Sequence, residues 1–320
     1  MHIPDAVLAP QVAALTGVAA AAGFGYGLRR LERGLGERTT VLMGIMSAFV
    51  FAAQMVKFPV APGVAGHLLG GVLAAVLLGP WAGAGVIGAV LIVQCLLFGD
   101  GGLTALGANF VNLGLIGPIG GYAIYAPIRR ARAGRAGILL GAMAAAWFSV
   151  LLAAGVLAVE LAASSRWSAF PSILGWMALV HAGIGLGEAL ITGMVLQFLL
   201  RTRPDLVYEP GPAAVSVPRR WGEVIVAGLA IASALAVVLA PCASTAPDGL
   251  EWVSRKFGLA PPGSPPLMPI PFPDYEVLGL GGSLGIATAA AGLVGTLVVF
   301  GVGLSLGGIF AGERQKLSES

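Results

Sequence analysis

Long apolar stretches constrain this 320-residue chain more than any other feature of its sequence. Most of them reach or approach the ~20 residues that an α-helix needs to cross a bilayer. Charged residues make up only 10% of the chain, far below the roughly 25% of soluble domains. We therefore predict an all-α, polytopic membrane protein. The apolar segments are 11–28, 41–56, 64–79, 81–98, 103–127, 136–163, 172–200, 222–241 and 277–309.

A polar stretch divides these segments into two groups. Residues 201–221 (RTRPDLVYEPGPAAVSVPRRW) contain prolines and charges and are typical of a cytoplasmic linker. The predicted organisation is a membrane domain of about seven spans over 1–205, a linker over 206–221 and a two-span module over 222–320. The third segment, 64–79, is short and rich in glycine, so we expect it to be a tilted or partial span.

The distribution of basic residues predicts the orientation in the membrane. No Lys or Arg precedes the first apolar segment, whereas Arg29 and Arg30 follow it directly. This order is the reverse of a secretory signal peptide and predicts an uncleaved first helix with its N-terminus outside. With this orientation, all but four of the 18 Lys and Arg residues lie on the cytoplasmic side, in agreement with the positive-inside rule. The four exceptions are Lys57, Arg166, Arg255 and Lys256. The C-terminus is predicted to be cytoplasmic.

The basic pI of about 9.1 does not indicate nucleic-acid binding. The basic residues form short clusters between apolar segments, as membrane topology requires. The predicted surroundings of the chain are the lipid bilayer, with no nucleic-acid partner.

Two of the three histidines fall on the predicted outer side. The chain opens MHIPDAVLAP, and the loop KFPVAPGVAGHLLGG after the second span carries His67. Because His2 is too bulky for the usual removal of an initiator Met, we expect a free α-amine on Met1. That amine, the amide nitrogen and imidazole of His2, and the imidazole of His67 can supply four nitrogens to one metal ion.

Four nitrogens in one plane suit Ni(II) or Cu(II), because tetragonal nitrogen and oxygen ligation is diagnostic of those ions. Zinc prefers a tetrahedron, often with thiolates, and no cysteine is suitably placed. From residue chemistry alone, an ordinary histidine in a tail and another at the start of a helix remain the alternative interpretation.

Several blocks of the sequence resemble one transporter family. MHIPDAVLAP, GHLLGGVLAAVLLGPWAGAGV and LLFGDGGLTALGANFVNLGLIGPIGGY are similar to the CbiM/NikM family over about residues 1–200. These proteins are the substrate-capturing membrane subunits of energy-coupling-factor transporters for cobalt and nickel. Beyond the linker, APDGLE (residues 246–251) resembles the PDGLE module of the CbiN/NikN component, so the whole resembles a NikMN-type fusion. One departure is Ala6, where the family commonly has Gly.

The resemblance implies a metal-uptake function and a set of partners. The transported ion would be Ni²⁺ or Co²⁺, bound by Met1, His2 and His67, and the chain would have no catalytic cofactor of its own. The implied partners are a transmembrane coupling subunit and two cytoplasmic ATPase subunits in a bacterial or archaeal cell membrane. The chain itself has no GxxxxGK[ST] motif, so ATP hydrolysis by a P-loop is not expected here. We therefore predict a transport subunit and not an enzyme.

Three alternatives remain open, and one of them, a purely structural scaffold, does not explain the terminal chelate. A vitamin-binding subunit of the same transporter class is the nearest alternative, although it would not require a histidine at residue two. An intramembrane hydrolase is another, although the HExxH motif is absent and the two GxSxG matches, at residues 281–285 and 303–307, lie in a glycine-rich apolar segment and not at the strand-to-helix turn that a nucleophile elbow requires.

Other polar residues in or near apolar segments are candidates for supporting roles. Asp100, Asn109 and Asn112 lie near the outer connection between the fourth and fifth segments. Ligating imidazoles usually donate their second N–H to a carboxylate or carbonyl, and residues three apart can share a helix face. One of the three is therefore expected to support the metal site, with helix capping and interhelical hydrogen bonding as the alternative. Asp5 is a weaker candidate for ordering the terminal loop.

His181 and Glu188 lie seven residues apart in the seventh segment, on one stripe of the predicted helix. Ionisable residues in membrane helices usually face the protein interior. A functional role would be metal passage or subunit coupling. A structural hydrogen-bonded pair is the preferred interpretation.

Overall fold

The structure is a computed structural model that describes residues 1–31, 37–165, 167–208, 221–259, 267–277 and 285–318. Within these residues the chain is almost entirely helical, apart from one antiparallel hairpin of β1 (Phe58–Ala61) and β2 (Val64–Gly66). The all-α membrane class is therefore confirmed. The linker residues 209–220 and the basic residues Arg33, Arg166, Arg219 and Arg220 lie outside the described ranges.

The helices of the first module include long and short elements. They are α1 (Pro10–Leu31), α2 (Glu37–Met55), α3 (Gly71–Leu78), α4 (Pro80–Val93), α5 (Leu106–Asn109), α6 (Gly121–Ala131), α7 (Gly134–Ser164) and α8 (Phe170–Thr202). A π-helical turn over Gln94–Phe98 extends α4, and the π-helical stretch Phe110–Gly120 joins α5 to α6. The second module contributes α9 (Trp221–Ala234), α10 (Gly249–Phe257) and α11 (Ile286–Ser318).

Among the described residues, seven helices are long and apolar enough to cross a membrane. They cover 38–55, 80–98, 106–131, 134–164, 167–202, 221–242 and 286–309. The first predicted segment is present as the 22-residue helix α1. The third differs from a full span, because its helix α3 has only eight residues and is about 12 Å long at 1.5 Å per residue.

The connections between helices gather at two ends of the bundle. One end, here called the hairpin end, contains residues 1–9, 56–67, 99–105, 243–259 and 267–277. Backbone hydrogen bonds join these connections: the Gly102 N–H donates to the Ile3 carbonyl (2.8 Å), and the Ala65 N–H donates to the Pro247 carbonyl (2.9 Å). At the opposite end, the Tyr208 N–H donates to the Val76 carbonyl (2.9 Å).

Small residues allow the second module to pack closely on the first. Ala48 and Ala52 of α2 are buried against Ala232 and Ala236. A β-carbon at Gly303 of α11 would collide with the side chain of Ser47. Such small faces let membrane helices approach one another, so α2 is one of the elements on which the two modules meet.

Candidate metal centre

The first residues of the chain fold inward over the hairpin end. Met1 is 2% exposed, His2 8% and Ile3 0%. The Ile3 backbone is held from both sides by one side chain: its N–H donates to Asn109 Oδ1 at 2.7 Å, and its carbonyl accepts from Asn109 Nδ2 at 3.1 Å. Asn109, at the end of α5, thereby fixes the backbone next to His2.

The α-amine of Met1 lies at the centre of a small polar cluster. Its nitrogen is 3.1 Å from His67 Nε2 and donates to Asp248 Oδ2 at 2.6 Å. Asp248 Oδ2 is also 3.8 Å from His67 Nε2. The His2 ring stacks on the His67 ring with centroids 5.5 Å apart and planes inclined by 12°. The amine and both imidazoles predicted from the sequence therefore lie together.

The His2 ring is anchored by a carboxylate on its other side. His2 Nδ1 is 3.2 Å from Asp100 Oδ1, and Asp100 Oδ2 accepts a hydrogen bond from the Tyr275 hydroxyl at 2.6 Å. His2 Nε2 is buried and has no hydrogen-bond partner among the residues that the structure describes. In this arrangement Nδ1, the atom that closes a chelate ring with the amide nitrogen of His2, faces the carboxylate and not the amine.

The His67 ring is oriented by its own loop. Its Nδ1 lies 3.0 Å from the Leu68 carbonyl oxygen, which places Nε2 toward the amine. Within the residues that the structure describes, no three His, Cys, Asp or Glu side chains are grouped so as to hold a metal ion by themselves. A metal centre at this place therefore depends on nitrogens of the main chain.

The family model described as "Cobalt uptake substrate-specific transmembrane region" matches residues 2–206. This chain belongs to that family, CbiM. Across both modules it is 35% identical over 310 residues to the putative fused nickel transport protein NikMN of Archaeoglobus fulgidus, covering 96% of this chain and 98% of the relative. It is 31% identical over 349 residues to the fused nickel transport protein NikMN of Rhodobacter capsulatus, covering 96% of this chain and 97% of that relative.

A solved structure supports the same membership. The crystal structure of a transition metal transporter aligns with 63% of this chain and 93% of its own chain, with a TM-score of 0.57 and 30% identity. The predicted resemblance to a CbiM/NikM region fused to an N-type module is confirmed. The protein is a multi-pass membrane protein, and its relatives are named as transport proteins, in agreement with the prediction of a transport subunit.

The residue at which this CbiM protein departs from the family pattern has an unusual backbone conformation. Ala6 has a φ of 65°, in the left-handed region that only glycine enters without steric penalty. The turn still forms, because Asp5 Oδ1 accepts hydrogen bonds from the Thr104 N–H (2.8 Å) and hydroxyl (2.6 Å). The family's glycine is thus explained by the geometry of this turn.

The electrostatics of the cluster favour ionised carboxylates beside a neutral imidazole. Burial by itself would raise the pKa of Asp248, but the Met1 amine and His67 hold it well below its usual range. Burial likewise opposes ionisation of Asp100, yet His2 and the Tyr275 hydroxyl lower its pKa overall. Burial, together with the positive amine, lowers the pKa of His67. The ionised carboxylates of Asp248 and Asp100 therefore lie beside the nitrogens of this cluster. Their two negative charges would favour the binding of a divalent cation.

Sequence reasoning missed Asp248 and Tyr275. Asp248 is the N-cap of α10, where its Oδ1 accepts from the Glu251 N–H at 2.8 Å. The available signal was an Asp directly before a short amphipathic helix in PDGLE, which is a typical N-cap. Nothing in the local sequence, however, indicates that its second oxygen contacts an amine 247 residues earlier.

The remaining polar candidates do not pair as expected. Asn109 and Asn112 do not share a face: Asn109 contacts Ile3, whereas Asn112 Nδ2 donates to Glu160 Oε2 at 2.7 Å. The reason is that the helix widens into a π-helix at Phe110, which changes the angular spacing of residues three apart.

His181 and Glu188 do not form the predicted pair. His181 Nδ1 lies 2.8 Å from the Met177 carbonyl oxygen of its own helix, and both Glu188 oxygens accept backbone N–H groups. Seven residues of α-helix separate two side chains by about 10 Å, so a direct hydrogen bond was not possible.

Proposed function

We propose that this chain captures Ni²⁺ or Co²⁺ for uptake, using the α-amine of Met1, the amide and imidazole of His2 and the imidazole of His67. The observation that carries this proposal is the 3.1 Å approach of the Met1 nitrogen to His67 Nε2, with the His2 ring stacked beside them. Family membership and the nickel transport named for its relatives support the class of substrate.

The chemistry of metal binding requires two changes within this polar cluster. The Met1 amine must lose its proton, and the His2 ring must turn about its Cβ–Cγ bond so that Nδ1 meets the metal. Asp100 is then the proposed acceptor for the Nε2 N–H, provided that its carboxylate shifts together with the ring, because ligating imidazoles usually donate their second N–H to a carboxylate or carbonyl. Asp248 stays beside the amine and balances the charge of the ion.

A planar set of four nitrogens favours nickel over cobalt. Tetragonal nitrogen ligation is typical of Ni(II) and Cu(II), and a given nitrogen site generally binds Ni(II) more tightly than Co(II). We therefore expect nickel to be the better substrate. No resident catalytic cofactor is proposed, because the ion is the cargo.

Transport is proposed to draw its energy from other subunits. In this proposal the hairpin end faces outside, and the opposite end meets a transmembrane coupling subunit and two cytoplasmic ATPase subunits. The absence of a P-loop motif from the sequence is consistent with ATP hydrolysis on partner chains.

Metal titration of the untagged protein tests this proposal, with the first residue verified by intact mass. One added residue before Met1, or acetylation of its amine, should abolish tight nickel binding while the protein still folds, because either change removes the amine as a ligand. A protein extended only at its C-terminus is the matched control and should bind normally. Equal affinity in the N-terminally extended protein would refute the site.

A further inference from the structure

One peptide unit connects a buried carboxylate to the His67 ring. On one side, the carbonyl oxygen of Leu68 lies 3.0 Å from His67 Nδ1. On the other side, the Leu69 N–H of the same peptide donates to Glu188 Oε2 at 2.6 Å. Glu188 therefore fixes the plane of the peptide that orients the ring.

The second oxygen of Glu188 holds the next peptide. The Gly70 N–H donates to Glu188 Oε1 at 2.9 Å. Gly70 is the N-cap of α3, has a φ of 78° and provides no side-chain cap. The first N–H groups of a helix need partners, and a carboxylate is the favoured one. Glu188 of α8 thus binds the N–H of the N-cap residue itself and fixes the backbone that leads into α3.

Two buried glutamines hold the same segment from the opposite direction. The Leu69 carbonyl accepts from Gln54 Nε2 at 3.0 Å, and Gln54 Oε1 accepts from Gln94 Nε2 at 2.7 Å. Glu188 is 1% exposed and Gln94 0%. The non-helical backbone before α3 is therefore fixed by Glu188 and Gln54, and Gln54 is itself held by Gln94.

We propose that Glu188 is a positioning residue for His67, acting through the peptide between Leu68 and Leu69. With Nδ1 donating to the Leu68 carbonyl, His67 keeps the lone pair of Nε2 directed toward the Met1 amine. Ligating histidines commonly donate their second N–H to a carbonyl, and here a carboxylate fixes and polarises that carbonyl from behind. This inference rests on the proposed function, in which His67 is a ligand.

Glu188→Gln tests the inference in the full-length protein, with nickel alone as the titrant. The amide can accept from only one of the two N–H groups, so nickel affinity should fall by about 10- to 100-fold, with a shift of the visible absorption band of bound nickel. Glu160→Gln is the matched control, because Glu160 is another buried carboxylate, 5% exposed, whose partner is Asn112. It should leave the affinity within about twofold of the wild type.

Three results overturn the inference. If Glu188→Gln binds nickel with the affinity of the wild type, Glu188 has no role at the site. If Glu160→Gln loses as much nickel affinity as Glu188→Gln, the loss is a general effect of removing a buried charge. A wild-type protein that binds no nickel refutes the proposed function and this inference with it. If Glu188→Gln does not fold, Glu188→Asp replaces it in the test. The shorter Asp side chain withdraws the carboxylate by one methylene group and should cause the same loss of nickel affinity.

A double-mutant cycle with copper shows whether Glu188 acts through His67. Copper binds nitrogen sites more tightly than nickel, so the Met1–His2 chelate should retain copper in His67→Ala. In that background, Glu188→Gln should cause no further loss. An equal loss with and without His67 would mean that Glu188 does not act through that ring.

Discussion

At the scale of single residues, the three histidines differ in which nitrogen is available. All are buried: His2 is 8% exposed, His67 5% and His181 0%. The rings of His2 and His67 stack beside the terminal amine. His181 Nδ1 lies within hydrogen-bond distance of a carbonyl of its own helix, and its Nε2 lies beside Gly249 without a hydrogen-bond partner in the described part of the chain. Burial alone therefore does not distinguish a proposed ligand from a packing residue.

The first residue-scale prediction separates these roles. His2→Ala and His67→Ala should each weaken nickel binding by on the order of 100-fold or more, because each removes a ligand. His181→Ala should change the affinity by less than about fivefold, while lowering the free energy of unfolding by about 2 kcal/mol through a cavity. Calorimetric titration and thermal unfolding in detergent measure both effects. A binding loss in His181→Ala as large as that in His67→Ala would contradict the proposed ligand set.

The second residue-scale prediction concerns the turn after Asp5. Ala6→Gly should raise the free energy of unfolding by roughly 1 kcal/mol, because glycine incurs no penalty at a φ of 65°. Nickel affinity should be unchanged or slightly higher. Ala9→Gly, at a residue without positive φ, is the control and should not stabilise the protein. A destabilised Ala6→Gly variant would show that the turn is not strained by its side chain.

At the scale of elements, the short helix α10 joins the second module to the candidate metal centre. One oxygen of Asp248 caps α10, and the other accepts from the Met1 amine. The Ala65 N–H, in the hairpin strand that precedes His67, donates to the Pro247 carbonyl. A single loop of the second module thus contacts both the terminus and the His67 segment.

The element-scale prediction tests this coupling with Asp248→Asn. Asn also caps helices well, so α10 should remain formed, while the charged hydrogen bond to the amine is lost at a cost of about 1–3 kcal/mol. Nickel affinity should fall by about tenfold, because the Asp248 carboxylate stabilises the doubly charged nickel ion more than it stabilises the single proton on the amine. Glu251→Gln removes an exposed charge from the same helix and should have little effect. Equal effects of the two variants would argue against a specific role for Asp248.

The elements that could be predicted from the sequence are those that a local pattern of apolar and polar residues defines. Apolar runs indicated the long helices, and the positions of His2 and His67 followed from the alternation of spans. The partners of Asp248 and Glu188 could not be predicted, because each carboxylate binds main-chain groups more than 100 residues away. A backbone N–H has no sequence signature, so a glutamate that binds the backbone before a distant helix resembles any other buried acid.

At the scale of the whole molecule, the hairpin end depends on both modules and on the terminus together. Residues 1–9 supply the amine, the first module supplies His67 and Asp100, and the second module supplies Asp248 and Tyr275. Asp248 is ionised because the amine and His67 hold its pKa well below the usual range. Its contribution to stability is therefore present above the unfolded pKa of about 3.9 and is lost as the pH falls through the folded value.

The last prediction follows from the protons that the whole site must release. Metal ligands must be unprotonated, and the pKa of His67 is already lowered by burial and the neighbouring amine, so the His67 ring contributes little to the proton release. In the proposed chelate, the Met1 amine and the His2 amide must be free of the protons that the metal replaces. Nickel affinity should therefore rise by about tenfold per pH unit for each proton released, and buffer-corrected calorimetry should count between about one and two protons. Bound nickel should be diamagnetic, as expected for planar nitrogen ligation. An affinity that does not change between about pH 6 and 8, or paramagnetic octahedral nickel, would exclude a chelate built on the chain terminus.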